Sequence, residues 1–120
     1  MARSYGETTE KHSVRMVQLS LMLKFIEEHY HEDIALDDIA AQAHVSLSTA
    51  LRIFKDFLSE TPIRHMIRIR IQHSSELLRG GGIAIHEAAF RCGFHDSNYF
   101  ALQFKKEYGV TPREYARQHE

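Results

Sequence analysis

The sequence predicts an all-α fold of about seven helices, arranged as two similar halves flanking one long helix. Three observations lead there. Apolar residues recur at helical spacing along most of the chain, no segment sustains the alternation of a strand, and one block of sequence occurs twice. The block reads FKDFLSETP at 54–62 and FKKEYGVTP at 104–112, an offset of 50 residues with Phe, Lys, Thr and Pro matched.

Each element has its own signal. Residues 1–13, MARSYGETTEKHS, are polar and aperiodic and are expected to form a tail or linker. From about 14 to 30 the spacing of Met16, Leu19, Leu23 and Ile26, with Phe25 beside them, predicts a helix. A short helix over about 36–42 places Leu36, Ile39 and Ala40 on one face, with Asp37 and Asp38 at its positive end. Ser46 is an N-cap, and the helix it opens runs to about 59 with Ala50, Ile53, Phe54 and Phe57 inward. Thr61-Pro62 starts the long helix of about 62–79, which the glycines at 80–82 stop.

The pattern then returns. A short helix over about 84–91 ends at Gly93 in a tight turn. Asp96 caps the next helix to about 108, with Tyr99, Phe100 and Phe104 inward. Thr111-Pro112 opens the last helix, and Thr111-x-x-Glu114 fits a capping box. The offset of 50 runs from the caps Ser46 and Asp96 to Pro62 and Pro112, while Ala40 and Ala89 are 49 apart. Each half is therefore a short helix with a central alanine, a turn and a capped longer helix, which is a helix-turn-helix. The expected organisation is a tail at 1–13, a first helix-turn-helix subdomain at 14–61, a linker helix at 62–79 and a second subdomain at 80–120.

Composition sets bounds on function. A chain of 120 residues with 43% hydrophobic and 26% charged residues can bury a core. No run of apolar residues is long enough to span a membrane, the polar N-terminal residues show no signal-peptide pattern, and the single cysteine, Cys92, excludes an internal disulfide. Cytoplasm is the expected compartment. The formal net charge is −1, but it is unevenly spread. Residues 1–45 hold 4 Lys/Arg against 8 Asp/Glu, residues 46–78 hold 5 against 3, and residues 79–120 hold 6 against 5. The last two thirds are mildly basic, which permits a polyanionic partner.

At this point the residues resemble a known family. IALDDIAAQAHVSLSTALRIFKDFLSETP and AAFRCGFHDSNYFALQFKKEYGVTPREY are similar to the DNA-binding domain of AraC/XylS-type transcriptional regulators, over roughly residues 17–116. The resemblance implies a sequence-specific regulator of transcription that acts as an activator without a cofactor, on double-stranded DNA and with RNA polymerase as a further partner. It also implies that an effector-sensing and dimerising domain can precede this one in longer members. The chain itself is expected to be a monomer. Four positions depart from the family pattern: Ser59 replaces a glycine, His65 a tyrosine, Ser74 an alanine and Leu102 an arginine.

In a helix-turn-helix, the second helix lies in the major groove and its early residues reach the bases. The candidates on the first recognition helix are Ser48, Thr49, Leu51 and Arg52, with Arg52 foremost because a guanidinium can bind guanine bidentately. Its alternative is an ion pair with Asp56. On the second recognition helix Ser97, Asn98, Ala101 and Leu102 are expected to face the groove; Asn98 suits adenine, its alternative being a local cap or turn role just after Asp96, whereas Ala101 and Leu102 offer only apolar contact, for example to thymine methyls. Lys55, Lys105, Lys106 and Arg113 are candidate phosphate contacts. A long helix of about 18 residues spans roughly 27 Å, enough to help hold two recognition helices about one DNA turn apart.

Other chemistries find little footing. HEAAF at 86–90 lacks the second histidine of a zinc-protease motif, and His29 and His31 lack partner ligands, so neither a catalytic nor a metal site is expected. Cys92 is expected to be a small core residue. The rival to DNA reading is a helical protein-interaction module, motivated by Leu51, Leu102 and the net charge.

Overall fold

The computed structural model describes residues 2–120, with side chains from Thr9 onward. Among the described residues there are seven α-helices and no strand: α1 (Ala2–His29), α2 (Leu36–Ala41), α3 (Leu47–Leu58), α4 (Pro62–Gly80), α5 (Ile85–Arg91), α6 (Ser97–Tyr108) and α7 (Pro112–Gln118). The chain forms two compact units, residues 1–28 with 34–63 and residues 29–33 with 64–120.

In the first unit Leu19, Met22 and Ile26 of α1 are buried, as are Ile39, Ala40 and Ala43 around α2 and Ala50, Ile53 and Phe54 of α3. Four expectations need correction here. The segment 2–13 is helical and continues into α1 instead of forming an irregular tail. It contains no proline, and once a helix is nucleated each added residue gains a hydrogen bond without needing an apolar face. Met16 is exposed, because it stands on the flank of the Leu19–Met22–Ile26 stripe, a few residues out of phase with it. Leu23 lies on the same flank and is half-buried, and so is Phe57 of α3.

In the second unit Ile71, Leu78, Ala88, Ala89, Cys92, Phe94, Phe100, Phe104 and Tyr115 form one core. Its aromatic centre is Phe104, whose ring lies 5.7 Å from Phe100, 4.9 Å from Tyr108 and 5.2 Å from Tyr115. From Arg64 onward α4 counts with this unit, so the helix expected as a linker contributes Ile71 and Leu78 to a core. Ser74, where the family pattern has alanine, is fully buried and satisfied: its Oγ donates to the Ile71 carbonyl at 2.7 Å. Ala40 and Ala89, the central alanines of the two short helices, are both buried, which lets a second helix approach each of them closely.

The start of α6 depends on one side chain. Asp96 Oδ1 accepts from the backbone N–H of Asn98 at 2.8 Å and of Tyr99 at 3.1 Å. Two of the helix's otherwise unpaired donors are thereby satisfied. Asp96→Ala is expected to destabilise the protein by about 0.5–2 kcal/mol, read as a shift in the urea midpoint. A midpoint equal to wild type would show that the cap is dispensable.

Candidate nucleic-acid interface

The first candidate surface lies on α3 in the first unit. Ser46 is an extended N-cap whose Oγ accepts from the Thr49 backbone N–H at 3.2 Å and lies 2.9 Å from Thr49 Oγ1 as its donor. A second hydroxyl, that of Ser48, lies 3.2 Å from the same oxygen. These bonds fix the first turn of the helix. Beyond the cap, Ser48, Leu51, Arg52 and Lys55 are exposed on the face opposite buried Ala50, Ile53 and Phe54. Thr49 is half-buried and tied to the cap. Among the described residues no ion pair joins Arg52 to Asp56.

The second surface lies on α6. Asp96 does the capping, which leaves the Asn98 side chain for other work, and Ser97, Asn98, Leu102, Lys105 and Lys106 are exposed. Ala101 is half-buried. The opposite face is anchored: Phe100 and Phe104 are buried, and Gln103 Oε1 accepts from Arg64 Nη1 at 2.7 Å. Arg64 also pairs with Glu107 at 3.6 Å. Arg113 is exposed, but on α7 and not on the recognition helix.

Tyr99 corrects the sequence expectation. It is 43% exposed where helical spacing placed it inward, since it sits on the edge of the buried Phe100–Gln103–Phe104 face. Its ring lies 6.2 Å from that of buried Phe94. Sequence reasoning also missed the surroundings of the turn before α6. His95 Nε2 is 2.6 Å from Asp33 Oδ1, and Arg70 donates from Nε to the Tyr30 carbonyl and from Nη2 to the Glu32 carbonyl at 2.8 Å. The hydrogen bond from His95, aided by its charge, holds the Asp33 carboxyl below its ordinary pKa. No local pattern signals such contacts, because their partners are about 40 to 60 residues apart in the chain.

Elsewhere, burial pushes the Cys92 thiol up to about 11 and makes it a poor nucleophile. His29 and His31 both lie against Glu32, at 2.6 and 3.7 Å. Among the described residues no group of three or more His, Cys, Asp or Glu is placed to hold a metal ion, and no helix is long and apolar enough to cross a membrane.

Comparison with known proteins converges on the same elements. A family model described as a helix-turn-helix domain matches residues 39–118. The HTH-type transcriptional activator RhaS of Klebsiella pneumoniae (strain 342) is 35% identical over 111 residues, 92% of this chain and 39% of that protein. RhaS of Escherichia coli O139:H28 is 35% identical over 97 residues, 81% of this chain and 35% of its own length. The chain thus spans less than two fifths of the curated relatives it matches. Among solved structures, an AraC-type transcriptional regulator from Chromobacterium violaceum superposes with a TM-score of 0.82 at 26% identity, covering 87% of this chain and 93% of that one. The DNA-binding domain of AdpA, solved in complex with a target DNA, gives 0.79 at 27% identity, covering 84% and 91%.

Proposed function

Because the chain belongs to the AraC/XylS-type helix-turn-helix family, we propose that it reads a specific DNA sequence with α3 and α6 in two adjacent major grooves and activates transcription. The observation that carries this is the repetition of one exposed row on two capped helices. Ser48, Arg52 and Lys55 on α3 recur as Asn98, Leu102 and Lys105 on α6, each 50 residues on and each exposed. A repeat in the protein suits a ligand that repeats about every 34 Å. The 19 residues of α4 measure about 28 Å along the axis at 1.5 Å per residue, a length of the right order for that spacing.

In this reading Arg52 and Asn98 are the base readers, Ser48, Thr49, Ser97 and Ala101 line the groove, and Lys55, Lys105, Lys106 and Arg113 hold phosphates. The DNA bends to meet both helices, at a cost of a few kcal/mol. The chain binds as a monomer and leaves a surface for RNA polymerase. One observation favours a second reading: Leu51 is 39% exposed and Leu102 54%, as on a protein-docking face.

Salt titration separates the two. Selection from random duplexes of about 25 base pairs is expected to enrich two blocks about one helical turn apart. Binding to the selected site should then weaken steeply with salt, with a log–log slope of about −0.9 for each phosphate contact. No enrichment at low salt, or a flat salt response, would favour the protein-docking module.

A further inference from the structure

Of the several differences between the exposed faces of α3 and α6, two put a large apolar side chain on α6 where α3 has a polar one. Where α3 carries Arg52, α6 carries Leu102, and where α3 carries Thr49, α6 carries Tyr99. Leu102 and Tyr99 are three residues apart and so are neighbours on the helix surface. Both are among the large apolar side chains left in solvent. They cannot be covered by rolling the helix, because Gln103 on the far face is held by Arg64 and Phe100 and Phe104 are fully buried. Tyr99 is backed on one side by Phe94, which steadies the ring.

The neighbours of Leu102 identify its occupant. Asn98 lies one turn before it and Lys105 and Lys106 about one turn after, and all three are exposed. Leu102 occupies the position on α6 that Arg52 occupies on α3, and the charges beside it are those of Lys105 and Lys106, while the carboxylate of Asp96, near Tyr99, is engaged in capping the helix. That complements a polyanion. Within a major groove, the feature an aliphatic side chain can recognise is the C5 methyl group of thymine. Resting on the reading that α6 enters a major groove, we infer that the second unit is a reader of pyrimidine 5-methyl groups through Leu102, with Tyr99 extending the apolar surface. The two units then differ in kind: the first reads guanine by hydrogen bonds, and the second reads methyl groups by burying them.

The experiment uses the 120-residue chain. Selection is run first on duplexes containing thymine. Failure to enrich any block at that stage sinks the DNA-reading hypothesis itself, before any methyl group is altered. In the selected site, thymines are then replaced one at a time by uracil, which pairs alike but lacks the methyl. The block that Arg52→Ala leaves intact is the one assigned to α6. There, uracil at one or two positions is expected to weaken binding about threefold to fivefold. Leu102→Ala should abolish that difference, with the salt slope and melting temperature unchanged because the side chain is exposed. Leu102→Arg should shift the preference at that position towards guanine. The inference is overturned by uracil tolerated within about twofold throughout that block, by a thymine preference that survives Leu102→Ala, or by enrichment of the Arg52-dependent block alone.

Discussion

Arg52→Ala is expected to weaken binding to the selected site by about tenfold to a hundredfold and to erase the preference for guanine at one position. The magnitude follows from a bidentate contact between a guanidinium and guanine, worth about 1–3 kcal/mol of discrimination. The local structure makes Arg52 suited to that contact. Its helix is fixed at the start by Ser46, and its side chain is exposed on the face away from Ala50, Ile53 and Phe54. Among the described residues no ion pair ties it to Asp56, so pairing with a base does not compete with that contact. Arg52→Lys provides the decisive comparison. Lysine keeps the charge but loses the planar fork, so it should retain the salt dependence and lose the guanine preference. Fluorescence anisotropy on the selected duplex and its single-base variants reads both quantities. If both variants keep wild-type specificity, α3 does not read bases through Arg52.

The features that were legible in the sequence are those whose causes are local. Ser46, Asp96 and Thr111 each accept the N–H of a residue no more than three positions ahead, so a cap can be recognised without knowing the fold. Phe54 and Phe104 are buried because they lie at the centre of an apolar stripe, whatever packs on it. Positions at the edge of a stripe are different. Met16 and Tyr99 have the right spacing and the right chemistry, yet remain exposed, since whether an edge position is covered depends on how far the neighbouring element reaches. The long helix shows the same limit on a larger scale. Its breaker-free run predicted a helix and its termini, but not that Ile71 and Leu78 would enter a core with Phe94, Phe100 and Tyr115.

The candidate site follows this division. The exposed rows on α3 and α6 could be named from helical phase alone. The clamp behind α6 could not. It joins Arg70 of α4 to the carbonyls of Tyr30 and Glu32, which lie in the connection after α1, and His95 to Asp33 in the same connection. Four of these residues belong to one short connection and a helix far away in sequence, and none forms a motif.

That clamp makes Gly93 the position where the smallest change should do most damage. Gly93→Ala is expected to destabilise the protein by about 2.5–6 kcal/mol. Two costs combine. At φ +99° an L-residue is strained, by about 1–3 kcal/mol. A methyl group there would also lie 2.8 Å from Arg70 Nε and 2.9 Å from the Tyr30 carbonyl oxygen, so it would wedge apart the bond between them. Arg70 is partly buried, and a charged donor that loses a buried acceptor costs about 1.5–3 kcal/mol. The first helix-turn-helix shows which cost matters more. There the equivalent turn has His44 at φ +54°, so a positive φ by itself does not demand glycine. Likewise Ser59 adopts φ +56° where the second half has Gly109 at φ +78°. An added methyl at Gly109 meets nothing within 4 Å. Gly109→Ala therefore carries only the backbone strain and should cost about 1–2 kcal/mol. Urea unfolding of the two variants side by side tests the argument: equal losses would show that the approach of Arg70 and Tyr30 does not constrain Gly93. A larger loss at Gly93, with binding at the α6 block weakened in the same variant, would tie the setting of the second recognition helix to that close approach.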